Sequence, residues 1–192
     1  GKDGWHGKAL KAGAEADAAI AELQRQFVQT SDPPPVIPKP GRRPAPPPVP
    51  DFETGVPAPS YPPGAEVATR EAYGSALVAL GQADPPIVAL DADVKNSTFS
   101  EKFEAKFADR FYQCFIAEQA MVAPHMGLAS RGAIPFPSPF ACFLERAADF
   151  IRLAGISASN VKLAGSHARV SIGVEGPLHM ALEDLAMMRA VA

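Results

Sequence analysis

Fourteen of the chain's 21 prolines fall between Pro33 and Pro63, and that concentration restricts the fold more than any other feature. Proline has no N–H to donate. Runs such as Pro33-Pro34-Pro35 and Pro46-Pro47-Pro48 leave too few donors for a helix or a sheet ladder. Residues 31–63 are therefore expected to form an extended, polyproline-like connector. The PxxP spacings Pro35/Pro38 and Pro47/Pro50 give a second reading, a Pro-rich docking ligand. The connector separates a tail, residues 1–30, from a larger domain, residues 64–192.

Composition excludes several classes. Apolar residues make up 47% of the 192 positions, enough for a core. A net charge of −3 argues against a nucleic-acid binder, which carries a basic excess. No run approaches the roughly eighteen apolar residues of a membrane span, and Gly1 to His6 is polar without a signal-peptide pattern, so a soluble protein without membrane contact is expected. Cys114 and Cys142 sit in apolar segments outside any CxxC and read as reduced structural thiols of a cytoplasmic protein. The chain opens on Gly1 and stops at Ala192 directly after a strongly patterned segment, so both ends are expected to be cuts in a longer chain.

Apolar periodicity predicts a short helix over Ala14–Phe27, with Ala19, Ile20, Leu23 and Phe27 at helical spacing. Beyond the connector, Thr69 caps a predicted helix whose core face is Tyr73, Ala76, Leu77 and Leu80 and which stops at Gly81. The wholly apolar run Ile87–Leu90 suits a buried strand. A polar loop, 91–97, leads to a short helix near 100–107. A second strand is expected at 111–116, entering a helix over 118–130. A third strand, 134–138, is short or an edge piece because of Pro135, Pro137 and Pro139. An amphipathic helix over 140–154, a fourth strand at 161–165 and a helix over 181–189 complete the pattern. Strands alternating with helices imply βαβ units: an α/β fold with a mainly parallel sheet and helices on both faces. Ligands of such sheets bind beyond the carboxyl ends of the strands.

The residues at those ends are the candidates. After Leu90 the loop LDADVKNSTFSEKF gathers Asp91, Asp93, Lys95, Asn96, Ser97 and Thr98, either a ligand-facing edge or a solvated loop. Glu118 follows four apolar residues at a strand–helix junction. Desolvation there favours a shared proton and the helix dipole favours the anion, so both a helix-start residue and a catalytic acid are open. Phe140 and Phe143 lie three residues apart on one helix face, as a core pair or as a wall for a planar ring. His167, Glu175 and His179 occupy a Gly-containing loop without zinc-ligand spacing, and the chain has no GxGxxG or P-loop.

Taken together, WHGK (5–8), ATREAYG (68–74), LDADVKNSTFSEKF (90–103), FIAEQAM (115–121), the PF…FACF region (135–143) and GSHARVSIGVEGP…HMALEDLAMMR (165–189) resemble transketolase, in the family's order and near its spacing. The resemblance covers almost everything except the connector. It implies the end of the diphosphate-binding domain at 1–30 and most of the pyrimidine-binding domain at 64–192. The implied enzyme moves a two-carbon ketol unit between sugar phosphates in the pentose phosphate pathway. It uses thiamine diphosphate and a divalent cation (Mg or Ca), as a homodimer with the active site at the subunit interface. By this resemblance Glu118 is the catalytic glutamate that bonds the aminopyrimidine ring nitrogen. His6 reaches the reacting centre, Phe143 and Phe140 wall the pyrimidine, and His179 contacts cofactor or substrate. Arg70, Ser97 and His167 hold the sugar phosphate, and Glu175 stands where the family usually has Asp on a substrate hydroxyl.

The chain also departs from the family pattern. Pro124 is expected to kink the helix after Glu118, His125 inherits no role and reads as packing or surface, and Pro137 and Pro139 crowd the ring pocket. The Gly-Asp-Gly to Asn motif for diphosphate and metal is absent from the sequence, so the metal ligands lie outside this chain and the chain alone is expected to be inactive. Two alternatives remain: a related thiamine diphosphate enzyme such as deoxyxylulose-phosphate synthase, and a non-catalytic, transketolase-like remnant that docks partners.

Overall fold

A computed structural model describes residues 10–27, 55–56 and 59–191, so His6 and most of the Pro-rich connector lie outside the described residues. The chain divides into two units, Gly1–Arg43 and Pro44–Ala192. In the first, helix α1 (Ala14–Gln26) follows Gly13 and ends one residue before the predicted stop. Its apolar positions Ile20 and Leu23 are exposed.

The second unit is built around strand β1 (Ile87–Asp91), every residue of which is buried. It lies between β2 (Phe111–Gln113) and β3 (Ile134–Pro137) in a parallel sheet of order β2-β1-β3. Alternation along β1 feeds two cores. Ile87 and Ala89 pack with Phe111, with Leu77 of α2 (Thr69–Ala83) and with Phe103 of α4 (Glu101–Lys106). Val88 and Leu90 pack with Met121 and Val122 of α5 (Glu118–Ser130), and with Leu144 of α6 (Ala141–Leu144), Ala147, and Ile151 of α7 (Ala148–Ile156). A strand covered on both faces needs an unbroken apolar run, which is what the sequence supplies.

Several boundaries differ from the sequence-based expectation. Thr69 does not cap α2: the Ala68 carbonyl accepts from the N–H groups of Glu71 and Ala72, so Thr69 is already helical. The helix passes Gly81 and ends at Ala83, because Asp84 precedes Pro85 and is driven extended. The polar loop closes into a short helix, α3 (Lys95–Thr98). Strand β2 is three residues long rather than six, since Phe115 turns away at φ 55. Helix α5 has the predicted bounds and runs uninterrupted past Pro124, while His125 is fully buried, not at the surface. The helix expected over 140–154 is split by a 3₁₀ turn at Glu145–Ala147. The last helix, α8 (Asp184–Arg189), starts later than expected because Ala181 is held extended by a bridge to Arg169.

The fourth strand, expected at 161–165, is absent as a two-way ladder. The N–H groups of Lys162, Ala164 and Ser166 donate to the carbonyls of Pro135, Pro137 and Pro139 at 3.0, 2.9 and 3.0 Å. The three prolines return no bond, because they have no N–H. The prolines occupy the positions whose nitrogens face away from β1, while Ile134 and Ser138 donate toward it, to Pro86 and Leu90. Proline at every second position thus leaves β3 one complete ladder and one half ladder. None of the three lines the cavity described below.

Candidate functional site

Most of the candidate residues lie near the edge of the sheet formed by the carboxyl ends of these strands. Glu118 is the first residue of α5, and its side chain is only 2% exposed. Arg146 Nη1, from the 3₁₀ turn after α6, lies 3.1 Å from Glu118 Oε2, with its own side chain 56% exposed. The contact is an ion pair only, because Glu118 Oε2 has no hydrogen-bond partner among the described residues. A buried carboxylate left in this state is costly unless something else satisfies it. The thiol of Cys142, between the two phenylalanines, is pushed up by burial, with the charges of Glu145 and Glu118 adding to the effect. Glu118 therefore acts electrostatically on the same short helix that carries the aromatic pair.

Phe140 and Phe143 stack with centroids 5.3 Å apart and planes 7° from parallel. His167 tilts onto Phe140 at 4.1 Å, and His179 stands edge-on to Phe143 at 5.4 Å and 74°. The backbone builds this box directly. Phe140 bridges Ser166 in parallel, and Ala141 N donates to Ser166 O at 2.7 Å. Gly165 makes that approach possible, since a Cβ there would lie 2.8 Å from Ala141 Cα. His167 has φ 51, and its Nδ1 meets Ser166 Oγ at 2.9 Å. Its pKa lies below the usual histidine value, first through burial and then through the charge of Arg70, with Glu175 opposing.

Beside this box is a cavity of about 200 Å³ lined by Thr69, Arg70, Tyr73, Thr98 and residues 164–166. Arg70 donates from Nη1 to the Ser97 carbonyl at 2.9 Å and lies over the Phe99 ring, so the head of α2 and the loop after β1 are tied together. Tyr73 shares a 2.5 Å hydrogen bond with Ser138, and burial pushes its phenol up to about 12. Glu175 sits beside His179, whose Nδ1 is 3.6 Å from Glu175 Oε2.

The sequence-predicted residues Arg70, Ser97, Glu118, Phe140, Phe143, His167, Glu175 and His179 are thus connected by contact or field, directly or through one intermediate. His6 falls outside the described residues. Sequence reasoning missed Arg146, which reads as the wet side of an amphipathic helix, and assigned Tyr73 only to the core. No group of three or more His, Cys, Asp or Glu side chains fit to hold a metal occurs among the described residues. A buried carboxylate oxygen without a hydrogen bond, within electrostatic reach of the segment that carries the stacked rings, suits a flat heterocycle that can hydrogen-bond.

Residues 65–192 match the family model described as transketolase, pyrimidine binding domain. The chain is 48% identical over 192 residues to the transketolase of Homo sapiens, an alignment covering 99% of this chain and 30% of that protein. Among solved structures it is similar to transketolase from Campylobacter jejuni, with TM-score 0.68 and 27% identity over 74% of this chain and 23% of that one. It is also similar to a split-gene transketolase described as an inactive beta4 tetramer, with TM-score 0.57 and 46% identity over 66% and 40% of the two chains. The chain therefore spans about 30% of the human protein it matches.

Proposed function

The chain belongs to the transketolase family, and we propose that it is the part of a ketol-transferring enzyme that holds the pyrimidine ring of thiamine diphosphate. The observation that carries this is the Glu118 carboxylate: buried, without a hydrogen bond at Oε2, and within electrostatic reach of Cys142, which lies between Phe140 and Phe143 in the sequence. When bound, thiamine diphosphate supplies the nucleophilic carbon that carries a two-carbon unit between sugar phosphates. Glu118 holds a proton at the ring nitrogen of the aminopyrimidine and so selects the ring's tautomer. Phe143, backed by Phe140, presents a flat apolar wall that fixes the ring plane and excludes water. Arg70 and the Ser97 hydroxyl bind the sugar phosphate from the cavity side, with His167 as a further donor. Glu175 takes a substrate hydroxyl, and His179 borders the ring.

The remaining assignments belong to the same reading. A divalent cation, Mg or Ca, and the diphosphate are held by residues outside this chain, His6 reaches in from the preceding domain, and the enzyme works in the cytoplasm in the pentose phosphate pathway. A homodimer completes the site. Supporting this, the loop around Glu175 and His179 exposes Val170, Val174, Leu178 and Leu182, and Ile116 before Glu118 is exposed as well. Such an apolar rim is expected where a second subunit closes over it. Tail, connector and domain follow the boundaries 1–30, 31–63 and 64–192.

Replacing Glu118 with Gln in the full-length protein tests the reading. Ketol transfer from a ketose phosphate is expected to fall by about 10²-fold or more, the range for loss of a general acid–base group, with the thermal midpoint unchanged. The purified 192-residue chain, assayed alongside, is expected to be inactive. Native turnover in Glu118→Gln, or robust activity of the isolated chain, contradicts the reading.

A further inference from the structure

Glu118 can serve a ring only if its carboxylate is aimed, and the turn that delivers it is unusual. The four residues between β2 and α5 include Phe115 at φ 55, and the loop after β1 includes Asp93 at φ 63. Non-glycine residues seldom adopt this left-handed region, and when they do the surroundings must hold them there. One side chain does both. Gln113 Oε1 accepts from Asp93 N at 3.1 Å and from Phe115 N at 2.8 Å. The same carboxamide donates from Nε2 to Asp91 Oδ2 at 2.8 Å, and Asp91 Oδ2 accepts from Val94 N at 3.0 Å. Only one orientation of the amide satisfies two N–H donors on one side and a carboxylate on the other.

Asp91 itself is fully buried at the end of the central strand, paired in register with Gln113. Burial raises its carboxyl above the ordinary range. Gln113 and the backbone N–H groups of Val94, Lys95 and Asp93 pull it back. A carboxylate kept in so dry a place needs a reason, and its neighbours supply one: it fixes the amide that fixes two strained turns.

We propose that Asp91 and Gln113 form a positioning clamp that sets the turn leading into Glu118, and with it the direction of the Glu118 carboxylate toward the pyrimidine ring. The clamp rests on the cofactor reading above and deepens it. Ser97, further along the same loop, is held separately through its carbonyl by Arg70. Loss of the clamp therefore acts on the step that uses Glu118 more than on sugar-phosphate binding.

The test uses the full-length protein and the variants Gln113→Ala and Asp91→Asn, with three readouts: amide hydrogen exchange, calorimetric titration with thiamine diphosphate, and steady-state ketol transfer. Gln113→Ala is expected to keep a near-native thermal midpoint while exchange at Phe115 and Ala117 quickens by about tenfold, the equivalent of one lost hydrogen bond. Its kcat is expected to fall by about 10²-fold, the cost of an ångström-scale misplacement, with the sugar-phosphate KM close to native. Asp91→Asn keeps one oxygen for Gln113 and Val94 but turns an NH2 group toward the remaining backbone N–H donors, and is expected to quicken exchange at Phe115 and Ala117 and to lower kcat in the same sense as Gln113→Ala. Unchanged exchange at Phe115 and Ala117 in Gln113→Ala overturns the clamp, as does a kcat loss that vanishes once only folded protein is counted. If the native protein does not bind thiamine diphosphate, the functional reading falls instead, and the exchange comparison alone still decides whether the clamp exists.

Discussion

His125 lies on the buried face of α5 with Met121 and Val122, two turns beyond Glu118, and neither ring nitrogen has a hydrogen-bond partner among the described residues. Burial pushes its pKa down from 6.5 to about 3. The unfolded chain therefore binds a proton that the folded chain refuses. The stability this neutral ring permits is complete above pH 6.5 and is lost as pH falls toward 3, by up to about 1.4 kcal/mol per pH unit. Urea denaturation of the full-length protein between pH 7 and pH 4 is expected to show a steeper acid loss in the native chain than in His125→Leu. Parallel pH profiles would remove this role. Buried Asp84 and Asp91, whose carboxyls are raised, act in the opposite sense in both proteins and cancel in the comparison. At this scale the sequence is informative where local position decides. Glu118 is legible as a helix start after four apolar residues, and Phe140 with Phe143 as an aromatic pair three positions apart, although Phe140 precedes the helix rather than sharing its face. Arg146 and Gln113 are not legible. The partner of the first lies 28 positions back and that of the second 22, and neither spacing leaves a periodic trace.

Among the elements, two glycines give opposite expectations for one substitution. Gly127 is exposed inside α5 and a Cβ there meets nothing within 4 Å, so Gly127→Ala is expected to stabilise by about 1 kcal/mol, the helix-propensity difference. Gly165 presses on Ala141, and its Cβ would lie 2.8 Å from Ala141 Cα. Gly165→Ala is therefore expected to cost roughly 1–3 kcal/mol as the segment backs away. It should also loosen the seam that seats Phe140 beside Ser166. Thermal denaturation of both variants in the full-length protein checks the pair, and equal shifts would refute the close packing. The alternation of strands and helices was readable from apolar runs and their lengths, and so were both faces of β1. The half ladder beside β3 was not, because periodicity reports which face a residue takes but not whether its neighbour has an N–H to return. The late start of α8 depends likewise on a bridge between Arg169 and Ala181 that no local pattern records.

On the scale of the whole molecule, the Pro44–Ala192 unit is a sheet between two helical layers, with the candidate site residues near the strand ends. Aromatic rings, a buried carboxylate and an arginine-lined cavity are present, while no cluster of three or more His, Cys, Asp or Glu side chains fit to hold a metal occurs among the described residues. No helix among them is long and apolar enough to cross a membrane. The family resemblance, rather than composition or charge, is what directs attention to this edge of the sheet. Val174 and Leu178 stand exposed in the loop that carries Glu175 and His179, where the proposed second subunit would close over the site. The most direct measurement is a crystal structure of the full-length protein with thiamine diphosphate bound. The account predicts the pyrimidine ring against Phe143, with its ring nitrogen about 3 Å from a Glu118 carboxylate oxygen. A ring seated away from Phe143, with Glu118 still turned only to Arg146, would contradict it.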